Sequence, residues 1–300
     1  MSRVSKLRDE LAPLSRALVG PHGEALIALL HQLNLQLPID GVGDGAIELA
    51  ESLGLVSRGN DTAGAASPGL TMLGLKAADP ARELTFWRER AGAMPGGGVM
   101  LGLLPTPLAG QRILEVGSGV GCNLLSLQAL GAEVIGVDVE PTYLLLAPVL
   151  AELAARPEPR VACSRAERLA FAAETFDVVI CIGALQYMDY QRCLPEMVRV
   201  LRRGGVLMTT SVPLFALVRS HFRRNWRRPV ELARDVRIVV NSLYYQVFGR
   251  RLKSGENSFS TSAPVYPTAR YLRRVLHASG LAIEKSVRME SEVWLRCVKR

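Results

Sequence analysis

A short apolar run, Ile113, Leu114 and Val116, breaks into Gly117-Ser118-Gly119-Val120-Gly121. A helix-length segment at 122–130 follows, then a turn at Gly131 and a second apolar run that ends at Asp138. Continuous apolar runs of this length mark parallel strands covered by helices on both faces. The alternation continues along the chain and predicts strands at 112–116, 133–138, 160–163, 177–182 and 205–211, separated by helices. Such a pattern implies a doubly wound α/β sheet. Two further strands, 281–289 and 293–298, are joined tightly at 290–292 and predict a hairpin with one antiparallel strand. Ahead of residue 112 the periodicity is helical in 23–35 and 45–53, and residues 84–89 close another helix. Segments 54–58 and 69–74 read as short strands around a polar loop at 59–68, and the Gly-rich stretch 91–98 reads as a linker. The expected division is therefore a small, mainly helical domain at 1–95 and an α/β domain at 96–300.

Between the fifth strand and the last helix lies an insertion, 214–267, that a minimal domain does not need. Leu214, Val218, Phe222 and Trp226 recur at every fourth position, with Arg219, Arg223, Arg224, Arg227 and Arg228 around them. This predicts a basic amphipathic helix. After Pro229, the positions Val236, Val239, Val240, Leu243 and Val247 predict a second helix, and the pair reads as a lid. Charge follows the same boundary. The net charge is +8, yet residues 214–300 hold 18 basic against 6 acidic side chains and residues 1–213 hold 18 against 22. The basic excess thus belongs to the C-terminal third.

Composition narrows the class further. In 300 residues, 49% are hydrophobic and 21% charged, enough for one large core and a smaller one. The five cysteines form no C-x-x-C pair and sit mostly in apolar segments, which predicts reduced, buried thiols, no metal site and a cytoplasmic setting. The first 20 residues mix charge with apolar positions, unlike a secretory signal. Apolar runs also fall short of the roughly 20 residues that span a bilayer.

The turn 117–121 carries the candidate chemistry. Glycines let a backbone approach a ligand that any Cβ would push away. A carboxylate at the end of the next strand, Asp138, can accept hydrogen bonds from both ribose hydroxyls. Dinucleotide sites complete G-x-G-x-x-G with a third glycine, but Cys122 occupies that position here. The pattern Glu115-x-Gly117-x-Gly119-x-Gly121 instead resembles the first motif of class I S-adenosylmethionine-dependent methyltransferases, whose cofactor carries an ammonium and a sulfonium in place of phosphate. Three more segments resemble later motifs of that family in the required order. Residues 164–171 resemble the adenine-covering segment, with Arg165 where an acid is usual, so that Glu167 or the Ala166 backbone contacts the base. Residues 175–187 resemble the fourth motif, and 201–208 the L-x-P-G-G turn with Arg203 in place of proline. In the fourth-motif segment, Asp177 reads as a structural cap at the strand start, opposite the site.

The resemblance covers 84–213 and the final hairpin. It implies a Rossmann-like sheet of seven strands, S-adenosylmethionine as cofactor, and a site formed by Glu115, Gly117, Ser118, Gly119, Gly121, Asp138, Val139, Arg165, Ala166, Glu167, Ile182 and Gly183. Residues 84–89 are expected to pack over the mouth of this site. The N-terminal part is similar to the winged-helix units of bacterial small-molecule methyltransferases, which serve dimerisation or form a substrate wall. The expected reaction is methylation of a small, hydrophobic metabolite, most simply at oxygen. His221 and Tyr187 are the candidate bases or orienters, while His22, His31 and His277 read as surface or packing residues. Two alternatives stay open, an RNA methyltransferase using the arginine-rich insertion and a non-catalytic binding subunit. The expected partners are a small-molecule acceptor, a peripheral membrane contact through 214–228 and a second copy of the chain. DNA is not expected, because the N-terminal part lacks clustered Lys and Arg.

Overall fold

The fold is given by a computed structural model that describes residues 3–35, 39, 41–57, 68–89, 100–225, 227, 229–252, 264–289 and 292–300. The elements in chain order are α1 (Arg3–Val19), α2 (Gly23–Asn34), α3 (Asp44–Ser52), β1 (Val56–Ser57), β2 (Gly69–Leu70), α4 (Met72–Glu89), β3 (Arg112–Val116), α5 (Cys122–Ala129), β4 (Glu133–Asp138) and α6 (Pro141–Leu153). They continue with β5 (Arg160–Cys163), β6 (Phe176–Cys181), a 3-10 turn (Leu185–Tyr187), α7 (Tyr190–Val200), β7 (Leu201–Ser211), α8 (Leu214–Asn225), α9 (Pro229–Phe248), α10 (Ala269–Ala278), β8 (Leu281–Met289) and β9 (Glu292–Lys299).

Seven strands form one sheet in the order β5-β4-β3-β6-β7-β9-β8. β3 pairs in parallel with β4 and β6, and β6 with β7, while β9 runs antiparallel to both β7 and β8. The α/β class and the closing hairpin are as the pattern predicted. The strands expected at 177–182 and 205–211 differ slightly in their bounds, β6 beginning at Phe176 and β7 already at Leu201. The early start of β7 follows from pairing, since Leu201 sits opposite Phe176 across an irregularity in the ladder.

The contacts divide into two compact units, residues 1–95, 118–129 and 140–163 in one and 96–117, 130–139 and 164–300 in the other. The first is held by Leu11, Leu14 and Leu18 of α1 with Leu26, Leu29 and Leu30 of α2, Leu125 of α5 and Leu146 and Leu150 of α6, all buried. In the second, Leu114, Val116, Val179 and Leu207 from the sheet pack with Cys193, Leu194 and Met197 of α7 and Leu272 and Leu276 of α10.

Three sequence expectations need correction. The second short strand of the N-terminal part ends at Leu70, not at 74, because the Thr71 hydroxyl accepts the Gly74 amide at 3.1 Å and starts helix α4 at Met72. The cysteines are not uniformly buried: Cys181, Cys193 and Cys297 are, whereas Cys163 at the end of β5 is exposed. The insertion also turns a different face inward from the one its apolar spacing suggested. On α8 the buried positions are Leu214 and Leu217, with Val218 outside. On α9 the buried positions are Asp235, Ile238, Asn241, Ser242 and Tyr245, and Val236, Val240, Leu243 and Val247 face outward. The loop at 59–67, the linker at 91–98, the side chains of Phe86, Trp87 and Phe222, and Trp226 lie outside the described residues.

At the N-terminal end of the sheet, Asp177 accepts the Arg112 amide at 2.7 Å and pairs with Arg202, a structural role away from the strand ends that carry the site. Burial pushes the Cys181 and Cys297 thiols up to about 12, so both stay protonated and unreactive at neutral pH. A thiol reagent applied to the native protein at pH 8 should therefore label Cys163 well before Cys181, Cys193 and Cys297. Peptide mass spectrometry reads the order, and equal labelling of Cys297 and Cys163 would contradict the described core.

Candidate active site

The register of two neighbouring strands sets the geometry. Val116 of β3 lies opposite Val137 of β4, so Gly117 and Asp138 leave the sheet at the same level. At this carboxyl edge the chain turns through Gly117, Gly119 and Gly121, all with positive φ. Open α/β sheets bind ligands along this edge. Gly117, at φ 77°, is the most constrained of the three: a Cβ there would stand 2.4 Å from the Ala184 Cβ and 3.3 Å from the Met188 Cε. Its amide donates to the Val137 carbonyl at 2.8 Å, which ties the turn to β4. Only glycine satisfies both the backbone angle and the contact.

Two carboxylates flank this edge. Glu115, one residue before the end of β3, is 1% exposed, and Asp138 ends β4 half-buried. Both act on Cys181 at the end of β6: after burial, their negative charges are the causes that raise its thiol. Two carboxylates from adjacent parallel strands thus approach the end of a third. A cation bound here would be stabilised and a phosphate repelled. On the turn itself, the Ser118 hydroxyl is buried with no hydrogen-bond partner.

The other expected residues fall as follows. Val139 immediately follows β4, and the Asp138 carbonyl accepts the Ser164 amide at 2.9 Å. Arg165, Ala166 and Glu167 form a tight turn closed by a bridge between Arg165 and Arg168. Ala166 is buried, while Glu167 accepts the Asp189 amide at 3.2 Å and lies 3.6 Å from Arg165. Ile182 and Gly183 follow β6, and the Gly183 amide donates to the Thr210 hydroxyl at 2.8 Å. Tyr187, in the 3-10 turn, is 47% exposed, and burial pushes the Tyr266 hydroxyl up to about 12. His221 belongs to α8, but its side chain lies outside the described residues.

One residue escaped the sequence reading. Glu83 of α4 holds its carboxylate against the turn: its Oε2 would be 2.4 Å from a Cβ on Gly119, and it accepts the Val120 amide at 3.4 Å. A carboxylate there meets the exposed amides at the start of α5, where a helix favours negative charge. Glu83 lies 36 positions before Gly119 in an ordinary helical sequence, so no local signal marks it.

The family described as "Methyltransferase domain" matches residues 114–209. The demethylmenaquinone methyltransferase of Thermus thermophilus is 37% identical over 147 residues, 46% of this chain and 62% of that protein. The ubiquinone biosynthesis O-methyltransferase of Rhizobium etli is 29% identical over 109 residues, 36% of this chain and 44% of that protein. The chain spans about half the length of the curated relatives it matches. Among solved structures, the complex between the Haloferax volcanii Trm112 methyltransferase activator and the putative methyltransferase shares the fold, with TM-score 0.52 at 14% identity over 74% of this chain and 96% of that one. The match makes residues 114–209 a methyltransferase domain, and the glycine turn, the strand-end carboxylates and the Ser118 hydroxyl suit S-adenosylmethionine as its cofactor.

Gly117→Ala should destabilise the protein by about 1–3 kcal/mol through backbone strain and overpacking, and should weaken cofactor binding with it. Adding Ala184→Gly should recover part of the stability by removing the clashing methyl. Thermal unfolding of the single and double variants checks this, and a single variant as stable as the wild type would contradict the close approach.

Proposed function

We propose that the protein transfers a methyl group from S-adenosylmethionine to a small, hydrophobic metabolite, with a hydroxyl oxygen as acceptor. The observation that carries the reading is the convergence of Glu115 and Asp138 on the end of β6, a negative strand edge suited to a cationic adenosine cofactor. The cofactor supplies an electrophilic methyl on a sulfonium and leaves as the neutral thioether. The protein's part is to bind, orient and exclude water. Asp138 accepts the ribose hydroxyls and Glu115 faces the ammonium. The adenine is contacted by the Ala166 main chain, because the Glu167 carboxylate is already engaged by the Asp189 amide and Arg165.

The acceptor enters from the side of the lid, and its oxygen attacks the sulfonium methyl as the S–C bond breaks. Tyr187, exposed in the turn after β6, orients the acceptor hydroxyl, and His221 of α8 takes its proton as the O–C bond forms. Relatives named for demethylmenaquinone and for ubiquinone biosynthesis support an apolar acceptor.

Incubation with methyl-labelled cofactor and a cell extract should yield a labelled, organic-extractable product. Asp138→Ala should lower the yield at limiting cofactor by about tenfold or more, the loss expected for a hydrogen-bonded charged group. His221→Ala should lower turnover by about 100-fold without changing cofactor affinity if it is the base. Label appearing only in RNA, or in nothing, would overturn the acceptor class.

A further inference from the structure

Helix α9 is built inside out. Beside Ile238, its buried face carries several polar side chains that are hydrogen-bonded. The Ser242 hydroxyl donates to the Ile238 carbonyl at 2.7 Å and accepts the Tyr266 amide at 3.0 Å, and Asn241 accepts the Leu252 amide at 2.9 Å. Gln246 accepts from both the amide and the hydroxyl of Thr268, at 2.9 and 2.7 Å, and the Tyr245 hydroxyl donates to Asp189 at 2.7 Å. These bonds fix the roll of the helix. They leave Val236, Val240, Leu243 and Val247 as an outward stripe, with Val247 74% exposed and Phe248, at its end, 60%. Phe215 on α8 is 78% exposed, and an open apolar groove of about 240 Å³ between α8 and α9 joins the two surfaces. An apolar surface of this extent marks an interaction site, because water solvates it poorly.

Its surroundings identify what covers it. From Leu214 to Phe248 the sequence holds seven arginines against Glu231 and Asp235, and of the two acids Asp235 is buried. Arg219, Arg227, Arg234 and Arg237 are exposed around the stripe. A second copy docked face to face would bring these like charges together, at a cost that rises as they lose water. Nucleic acid would attract the arginines and could stack on Phe215 or Phe248, but it offers nothing to the four aliphatic side chains of the stripe. Anionic lipid satisfies both: phosphates meet the guanidinium groups while the stripe enters the acyl boundary, as in interfacial helices. Among the described residues no helix is long and apolar enough to cross a membrane, so contact is confined to the surface.

We propose that the outward face of α9, with Phe215 of α8, docks the protein on anionic phospholipid bilayers. The contact is thus carried by the second helix of the insertion rather than by 214–228 alone. Docking there places the lid at the surface from which an apolar acceptor would come, but it does not rest on methyl transfer.

Flotation of the full-length protein with vesicles tests it. The protein should rise with phosphatidylglycerol-containing vesicles at low salt, bind pure phosphatidylcholine weakly, and lose the difference as salt is raised. The triple variant Val236→Ser, Val240→Ser, Val247→Ser alters only exposed side chains, and its binding should fall by about tenfold or more while cofactor affinity and unfolding temperature stay unchanged. The proposal is overturned if anionic vesicles fail to bind the wild type or bind the variant equally. It is also overturned if light scattering shows a dimer that the variant dissociates, or if an RNA oligonucleotide binds the wild type in place of vesicles. Failure of methyl transfer with vesicle binding intact would count against the proposed reaction only.

Discussion

Two carboxylates brought to the same edge of a parallel sheet govern the chemistry of this protein. Glu115 and Asp138 come from neighbouring strands whose register is fixed by the ladder from Arg112 to Val116, and both act on Cys181 at the end of the third. Carboxylates collected at a strand edge repel one another and favour a bound cation. The glycines between them matter for the same reason. Gly117 allows β6 and the turn after it to close against the strand edge, and a side chain there would strike Ala184. Charge and close approach together suit a positively charged adenosine compound.

Much of this was legible in the sequence because it is local. A buried strand, its glycine turn and the acid at the next strand end fall within 27 residues, so the periodicity that predicts the elements also places Glu115, Gly117 and Asp138. The missing third glycine at Cys122 turned the reading from a dinucleotide to a methyl donor, in agreement with the matched domain at 114–209. Asp177 could be assigned to structure because it lies near the start of its strand, and its bonds to Arg112 and Arg202 are those of a strand-start cap.

What the sequence hid depends on distant contacts. Glu83 meets Gly119 and Val120 through the folding of α4 onto the turn, and nothing in a local window reports that. The insertion misled for a different reason. Apolar spacing on α9 was read as an inward face, the usual outcome for a helix in a globular domain. Tertiary hydrogen bonds reversed it: Asn241, Ser242, Tyr245 and Gln246 find partners at Leu252, Tyr266, Asp189 and Thr268, and their satisfaction outweighs the burial of four aliphatic side chains. An unpartnered buried amide or hydroxyl costs about 1–3 kcal/mol, comparable to exposing one valine, so a face with several such groups can prevail.

The central claim is that the strand-end charges select a cationic adenosine cofactor. Isothermal titration of S-adenosylmethionine and of NAD against the same protein tests it most directly. The account predicts micromolar binding of S-adenosylmethionine, no measurable binding of NAD, and a loss of that preference in the double variant Glu115→Gln, Asp138→Asn. Tight NAD binding, or an unchanged preference after both charges are removed, would contradict it.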